Sequence, residues 1–224
     1  MRKTKKQYII NEDKSSFLFI LQIIYAIINM LLKTKENIMQ FIVVDLEANP
    51  GDFKEIINIA AHKVNIEYKI FKEKTNNYVI SSKIILSDNN FDVFVKPFFN
   101  GRLSKKMSKL LKIDSKSLED ARLFDIEMAN FQKWSNENNE DTVFITWSKT
   151  DSLMIKSNCK KYFINYNWFC NQYFDLQKCY DMMHKKMKPT GLCNALKENN
   201  INFIGQPHKA IDDSYNTTQI LLNC

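Results

Sequence analysis

The chain has 224 residues, 45% of them apolar and 12% aromatic, which is enough for one α/β domain with a hydrophobic core and some additional sequence. An excess of Lys and Arg over Asp and Glu gives a net charge of +7, which favours a polyanionic partner such as nucleic acid or an anionic membrane surface. The 5 cysteines form no C-x-x-C pair, which argues against a zinc site, and their odd number is typical of reduced thiols in the cytoplasm.

Residues 1–38 form a leader that is distinct from the rest of the chain. A basic start is followed by an apolar run at residues 17–32, which two polar amides interrupt. This run is shorter than the roughly 20 residues that a membrane helix needs. Three interpretations stay open: a hydrophobic helix packed on the domain or on a partner protein, a membrane anchor, or sequence upstream of a working start at Met39. The domain itself is expected at residues 39–224.

The domain opens with residues 41–50, FIVVDLEANP, whose apolar run is typical of a strand buried on both faces. Because side chains alternate along a strand, Asp45 and Glu47 are expected side by side at its carboxyl end. Two neighbouring buried carboxylates repel each other, and a cation that prefers oxygen ligands, Mg²⁺ or Mn²⁺, relieves the repulsion. The alternative is a strand that ends in polar residues and binds no metal.

The order of the later elements predicts a mixed sheet flanked by helices. Further strands are expected at residues 55–65, 91–96 and 142–147. Residues 66–90 have strand character around a polar tip, which indicates a hairpin or an insertion. Helices are expected at residues 103–113, from a cap at Ser117 to about Trp134, from near Asp151, at residues 175–187 and 191–199, and from His208 to about Leu222. The aromatic residues at 162–174 are predicted to pack in the core, with nucleic-acid stacking as the alternative.

Carboxylates occur at three separated places, each beside the end of a predicted element. Asp45 and Glu47 follow the first strand, Asp151 lies four residues after Trp147, and Asp213 lies at the start of the last helix. Four carboxylates from three segments are what two divalent ions about 3.5–4 Å apart require. His208 precedes Asp213 in the spacing H-x-A-x-x-D, and an imidazole of this kind can take a proton from an attacking water near neutral pH.

The three motifs D-x-E, W-x-x-x-D and H-x-A-x-x-D, in this order, resemble those of the DEDDh exonucleases of the ribonuclease H-like superfamily. Residues 191–217 are similar to the Eri-type exoribonucleases and to the bacterial inhibitor-of-sporulation type. The resemblance covers about residues 40–222. It implies a ribonuclease H-like fold and 3′→5′ hydrolysis of single-stranded RNA or DNA to nucleoside 5′-monophosphates.

The resemblance also implies a role for each matching residue. Its metal ligands, for two Mg²⁺ or Mn²⁺ ions, are Asp45, Glu47, Asp151 and Asp213. His208 would be the general base, and Asp212 would be a charge at the helix N-terminus rather than a ligand. The implied substrate contacts are Leu46, Ala48, Asn49 and Trp147. Leu46 and Asn49 depart from the residues common in the family, which leaves substrate preference open.

Other positions carry weaker predictions. His62 and His184 match no motif and are expected to be structural or surface histidines. The lysines of residues 103–113 form either a solvated helix face or a guide for a nucleic-acid backbone. The expected location is the cytoplasm, with membrane association through the leader as a possibility. A non-catalytic protein that binds nucleic acid or acts as a scaffold on the same fold is the alternative to the enzyme.

Overall fold

The computed structural model describes residues 38–51, 53–72, 78–136 and 141–223 of the chain. The leader, apart from its last residue, lies outside the described residues, and with it the predicted N-terminal hydrophobic helix. None of the helices in the described ranges is both long enough and apolar enough to cross a membrane.

Within the described ranges, six strands form one sheet: β1 (Ile38–Ala48), β2 (Ile56–Lys72), β3 (Tyr78–Leu86), β4 (Phe91–Phe94), β5 (Asp141–Thr146) and β6 (Tyr173–Asp175). β1 lies at the centre, antiparallel to β2 and parallel to β5, and β6 extends the parallel side. β3 and β4 both pair antiparallel with β2, one after the other along the same edge. The sheet is therefore mixed, as the sequence predicted.

The described ranges contain seven α-helices: α1 (Lys105–Leu111), α2 (Phe124–Ser135), α3 (Lys149–Lys161), α4 (Asn167–Cys170), α5 (Leu176–Met183), α6 (Leu192–Glu198) and α7 (Ala210–Asn223). On one face of β1, Phe41 and Val43 pack with apolar residues of α5, α6 and α7. On the other face, Ile42 and Val44 pack with α2, α3 and α4. Because both faces are covered, the strand carries an unbroken apolar run, and the next odd-numbered positions point towards α7.

One predicted helix begins later than expected. Ser117 lies in a short 3-10 helix, Lys116–Leu118, and α2 begins only at Phe124. Between them the chain bends at residues 119–121, and Arg122 forms a parallel bridge with Val95 after β4. A continuous helix from Ser117 would break this pairing, so the prediction of one helix was wrong.

The uncertain region at residues 66–90 is a hairpin. β2 continues to Lys72, beyond the predicted end of the second strand, and pairs with β3.

The aromatic residues at 162–174 mostly pack in the core, since Phe169 is fully buried among apolar residues of α2 and α3. Phe163 is the exception, with 97% of its surface exposed. The sequence analysis missed β6, a strand of only three residues that pairs with the end of β5.

Candidate functional site

Asp45 and Glu47 lie at the carboxyl end of β1, on the face that α7 covers. The last pair between β1 and β5 joins Val43 to Ile145, so β1 continues past β5 with a neighbour on one side only. A register shift between Glu47 and Ala48 bends the strand end, which is a common device beside functional sites. The two carboxylates are therefore held on a rigid central strand at an open edge of the sheet.

α7 brings Asp213 to the same place. Asp213 lies in the first turn of α7, whose buried residues, among them Ala210 and Ser214, pack the helix against β1 and β2. Carboxylate oxygens of Asp45, Glu47 and Asp213 all lie within 4.8 Å of one another. The structure thus brings three of the four predicted ligands, from two distant segments of the chain, to one point.

Asp151 approaches this group from the opposite side of β1. It lies in the first turn of α3, whose N-terminus is capped by the Ser148 hydroxyl accepting a hydrogen bond from the N–H of Thr150 at 3.2 Å. Its carboxylate is buried and accepts a hydrogen bond from the backbone N–H of Leu46. It lies outside the group of three but close enough to raise the pKa of Asp45. It is therefore placed to add a ligand beside the cluster.

The pKa values of these four carboxyl groups show that the folded protein disfavours ionising all of them at once. Burial is the largest cause of each increase in pKa; repulsion by the other carboxylates adds to it at Asp45, Glu47 and Asp151, and repulsion by Asp212 adds to it at Asp213. The pKa of Asp45 is raised well above its usual range, and that of Glu47 is raised to about 8. The pKa of Asp151 is raised to about 7 and that of Asp213 to about 6. Four buried or half-buried carboxylates that resist simultaneous ionisation are the donor set that a divalent cation of the Mg²⁺ type fits.

His208 lies at the rim of this group, on the loop that precedes α7. Its backbone N–H donates a hydrogen bond of 2.9 Å to Oδ2 of Asp213, so the same carboxylate faces the cluster and fixes the histidine's backbone. His208 has a φ of 65°, a conformation that costs energy in a non-glycine residue. Its side chain is exposed to solvent, where an attacking water and a substrate can reach it.

Three residues that the sequence analysis did not place in the site hold this loop. Oδ2 of Asp212 accepts a hydrogen bond from the N–H of Gln206 at 3.0 Å, and the Asn216 amide bonds both the N–H and the carbonyl of Ile204. Gly205 has a φ of +91°, and a Cβ at this position would lie 2.4 Å from Cγ of Asp212. Only glycine fits there, and its place beside the H-x-A-x-x-D motif was the signal available in the sequence.

The predicted substrate contacts are all anchored by the protein itself. Leu46 is buried in the core on the α2 and α3 side of the sheet, and Ala48 packs against the same core. Asn49 is buried, donates to the carbonyl of Arg102 and accepts from the N–H of Ser104, both at 3.0 Å. Nε1 of Trp147 donates to the carbonyl of Thr190 at 3.0 Å. Their role as substrate contacts stays a prediction.

The two histidines outside the motifs lie apart from the cluster. His62 is buried on β2 with Nδ1 at 3.0 Å from Oγ of Ser214, and burial lowers its pKa to about 4. His184 is exposed at the end of α5, where its ring packs on Tyr180 at 4.2 Å between centroids. His62 is therefore a neutral part of the packing between β2 and α7.

An open cavity of about 770 Å³ adjoins the carboxyl end of β1. Asn49 forms part of its wall, and three basic side chains line it, those of Arg102, Lys105 and Lys109. The predicted basic face of α1 is exposed, as both interpretations of it require. Asp114 also lines the cavity, so its lining carries three basic side chains and one acidic one, and this net positive charge gives a polyanion a place to lie.

A family model described as Exonuclease (RNase_T) matches residues 42–221, a range that contains the four carboxylates and His208. The chain belongs to the exonuclease family. The predicted resemblance to the DEDDh exonucleases is thereby confirmed.

Curated exonuclease relatives are similar over parts of their length. Human ERI1 exoribonuclease 2 is 27% identical over 150 residues, which cover 58% of this chain and 22% of the human protein. The probable 3′-5′ exonuclease KapD of Bacillus subtilis is 28% identical over 124 residues, covering 55% of this chain and 59% of the bacterial protein. The chain thus spans less than two thirds of either relative.

Solved exonuclease structures share the fold. The nuclease domain of 3′hExo, a DEDDh family member bound to rAMP, superimposes with a TM-score of 0.66 at 20% identity and covers 84% of this chain and 92% of that domain. Cell-death related nuclease 4 gives a TM-score of 0.64 at 21% identity, covering 83% of this chain and 62% of that structure. At such identities the likeness shows the fold, and it confirms the ribonuclease H-like sheet with its flanking helices.

Proposed function

We propose that the chain is a metal-dependent 3′→5′ exonuclease that hydrolyses single-stranded RNA or DNA to nucleoside 5′-monophosphates. One observation carries the proposal: carboxylate oxygens of Asp45, Glu47 and Asp213 lie within 4.8 Å of one another, on buried or half-buried side chains whose pKa values are raised. Membership of the exonuclease family and the names of the relatives support the same reaction class.

Two Mg²⁺ or Mn²⁺ ions are the proposed cofactors. Asp45, Glu47 and Asp213 would hold one ion, and Asp151 would contribute to the second. Bound there, the cations would neutralise the carboxylates and stabilise the negative charge that develops on the phosphoryl oxygens during hydrolysis.

His208 is the proposed general base. Its exposed imidazole lies on a loop whose backbone is tied to Asp213, so it can accept a proton from a water at the edge of the cluster. The water oxygen would then bond to the terminal phosphorus, and the bond from phosphorus to the 3′-oxygen of the preceding nucleotide would break. The 3′-oxygen leaves with the bonding electrons and takes up a proton, which frees the shortened strand and a nucleoside 5′-monophosphate.

A single strand is the proposed substrate because the last nucleotide must leave its stack to reach carboxylates at the end of a buried strand. The exposed basic side chains around the cavity, Arg102, Lys105 and Lys109, are placed to neutralise its phosphates. Nothing in these side chains favours ribose over deoxyribose, so both RNA and DNA remain substrates in the proposal.

The decisive experiment is a digest of labelled RNA and DNA oligonucleotides with either the 3′ or the 5′ end blocked, in Mg²⁺ and in EDTA. We expect shortening of 5′-blocked strands, protection of 3′-blocked strands, monophosphate products and no reaction in EDTA. Tight binding without any cleavage would instead assign the chain to the alternative, a non-catalytic protein that binds nucleic acid. Cleavage within 3′-blocked strands would refute the exonuclease direction.

The division at residue 38 and the cytoplasmic location remain proposals. The four described cysteines are free thiols, which supports a reducing compartment. β1 begins at Ile38, at the end of the strand opposite Asp45 and Glu47, so residues 1–37 join the domain away from the carboxylates. A chain that starts at Met39 should therefore retain full turnover, while its sedimentation with membranes, compared with that of the full chain, tests a role of the leader in attachment.

A further inference from the structure

A cluster of exposed aromatic rings lies at the same edge of the sheet as the carboxylates. Phe98 is 61% exposed and Phe99 41% exposed, on the loop that follows β4. Their ring centroids are 5.1 Å apart, and Phe53 lies 5.6 Å from Phe99. Nζ of Lys161, near the end of α3, lies 4.9 Å from the Phe99 ring and 5.8 Å from the Phe53 ring. We refer to Phe53, Phe98, Phe99 and Lys161 as the aromatic platform.

The backbone beneath the aromatic platform is held firmly. The buried carboxylate of Glu55 accepts hydrogen bonds from three consecutive N–H groups, those of Phe98, Phe99 and Asn100, at 2.6 to 2.8 Å. A few residues further on, Asn49 fixes the same loop through the carbonyl of Arg102 and the N–H of Ser104. A loop tied by two buried side chains presents its rings without a further ordering cost, which is what a binding surface needs.

This arrangement is unusual for a surface that only faces water. Single exposed apolar side chains are common, but adjacent exposed phenylalanines on a rigid loop expose contiguous apolar area. Phe163, which directly follows Tyr162 beside Phe99, adds a fully exposed ring in a left-handed conformation with a φ of 58°. A glycine would be more favourable at that position, because helices commonly end on a left-handed glycine.

The charge around the aromatic platform indicates what binds there. Lys161 lies against two of its rings, and the loop that carries Phe98 and Phe99 continues to Arg102, which lines the cavity together with Lys105 and Lys109. Rings for the bases and cations for the phosphates are the combination that proteins use for single-stranded nucleic acid. Ten residues of α3 separate Lys161 from Asp151, or about 15 Å at 1.5 Å per residue. That distance corresponds to about four stacked nucleotides at 3.4 Å each.

We propose that the aromatic platform is a second binding site for single-stranded nucleic acid, which stacks the bases about four nucleotides upstream of the 3′ end held at the carboxylates. The inference rests on the proposed function for its direction but concerns different residues. It assigns Phe98 as the principal stacking side chain and Lys161 as a phosphate contact. It also implies that the protein distinguishes long single strands from very short ones.

The test is direct binding by fluorescence anisotropy of 5′-labelled 12-nucleotide and 3-nucleotide oligo(U) and oligo(dT), with the full chain in EDTA. Phe98→Ala should weaken binding of the 12-mers about tenfold and leave the 3-mers unchanged, because a stacked base is worth this much and the 3-mers do not reach the platform. Phe98→Leu should behave like Phe98→Ala, and Phe98→Trp should bind like the unmodified protein, since stacking needs a ring. The logarithm of the association constant falls linearly with the logarithm of the salt concentration, and Lys161→Gln should make this slope less steep by about 0.7.

Met182→Ala is the matched control, because Met182 is 63% exposed on α5, on the opposite face of the sheet. An unchanged Kd of the 12-mers for Phe98→Ala overturns the proposal, and so does equal weakening of 3-mers and 12-mers. If Phe98→Ala reduces self-association instead, the surface is a protein contact and the proposal fails. Binding in EDTA does not require cleavage, so loss of the proposed exonuclease function and loss of the platform would be seen in different measurements.

Discussion

Replacing Glu47 by glutamine tests whether the carboxylate cluster is built for a cation. Glu47→Gln keeps the shape of the side chain and removes its negative charge. Burial and repulsion by Asp213 already disfavour the charged form of Glu47. In metal-free protein the variant should be more stable than the unmodified chain above neutral pH. A surface carboxylate would show no such effect, because water screens its charge.

The size of the effect follows from the pKa of Glu47. An increase from 4.5 to about 8 corresponds to an upper limit of about 5 kcal/mol, at about 1.36 kcal/mol per pKa unit. Asp151 and Asp213 ionise at lower pH and share the repulsion, so we expect about 2–3 kcal/mol. In the folded protein the Glu47 carboxyl keeps its proton up to a higher pH than it does in the unfolded chain. Stability is therefore undiminished below about pH 4.5 and is lost as the pH rises towards 8.

The assay is urea unfolding followed by tryptophan fluorescence, at pH 5 and pH 8.5, in EDTA and in Mg²⁺. In EDTA the variant should gain about 2–3 kcal/mol at pH 8.5 and little at pH 5. In Mg²⁺ the advantage of the variant should largely disappear, because a cation at about 100 times its Kd adds about 2.7 kcal/mol to the protein that binds it. A gain that is equal at both pH values, or that Mg²⁺ leaves intact, would refute the reasoning.

Four further predictions concern single residues. Asp213→Asn should lower exonuclease turnover by at least two orders of magnitude while circular dichroism stays unchanged; near-normal turnover in Mg²⁺ would remove Asp213 from the site. His208→Ala should lower kcat/KM by about 10²- to 10⁴-fold while circular dichroism stays unchanged, and near-normal kcat/KM would argue against this base. Gly205→Ala should displace Asp212 and reduce turnover at least tenfold, with the metal-free melting temperature as the control for folding. Lys112→Gly should raise the free energy of unfolding by about 0.5–1 kcal/mol, because Lys112 ends α1 with a φ of 56°; a loss of stability would contradict this.

Much of the fold could be predicted because β1 carries two signals at once. Its apolar run predicted a central strand, and its alternation placed Asp45 and Glu47 on one face. The structure confirms the central position and adds α7 as the helix that covers this face. The resemblance to the family rested on the order of the three motifs, and the structure places the motifs' carboxylates, at the end of β1 and in the first turns of α3 and α7, close together at one edge of the sheet.

The start of α2 and the strand β6 could not be predicted, because long-range pairing decides them. Leu118 has the helical spacing of the residues that follow it, yet it packs in a separate cluster with Leu103 and Met107 of the α1 region. The bridge between Val95 and Arg122 then separates Leu118 from α2. β6 is too short for any periodicity, and its pairing with the end of β5 exists only in the folded chain.

The site shows the same division between local and long-range information. The sequence identifies side chains that would hold cations, but it does not identify those that place His208. Asp212 directly precedes a candidate ligand, and a charge at a helix N-terminus was the natural interpretation. In the folded protein the Asp212 carboxylate lies directly beside Gly205 and accepts a hydrogen bond from the N–H of Gln206. Asn216, on the next turn of α7, accepts a hydrogen bond from the N–H of Ile204. Because α7 also carries Asp213, a single rigid helix sets the position of a proposed ligand and of the proposed base relative to each other.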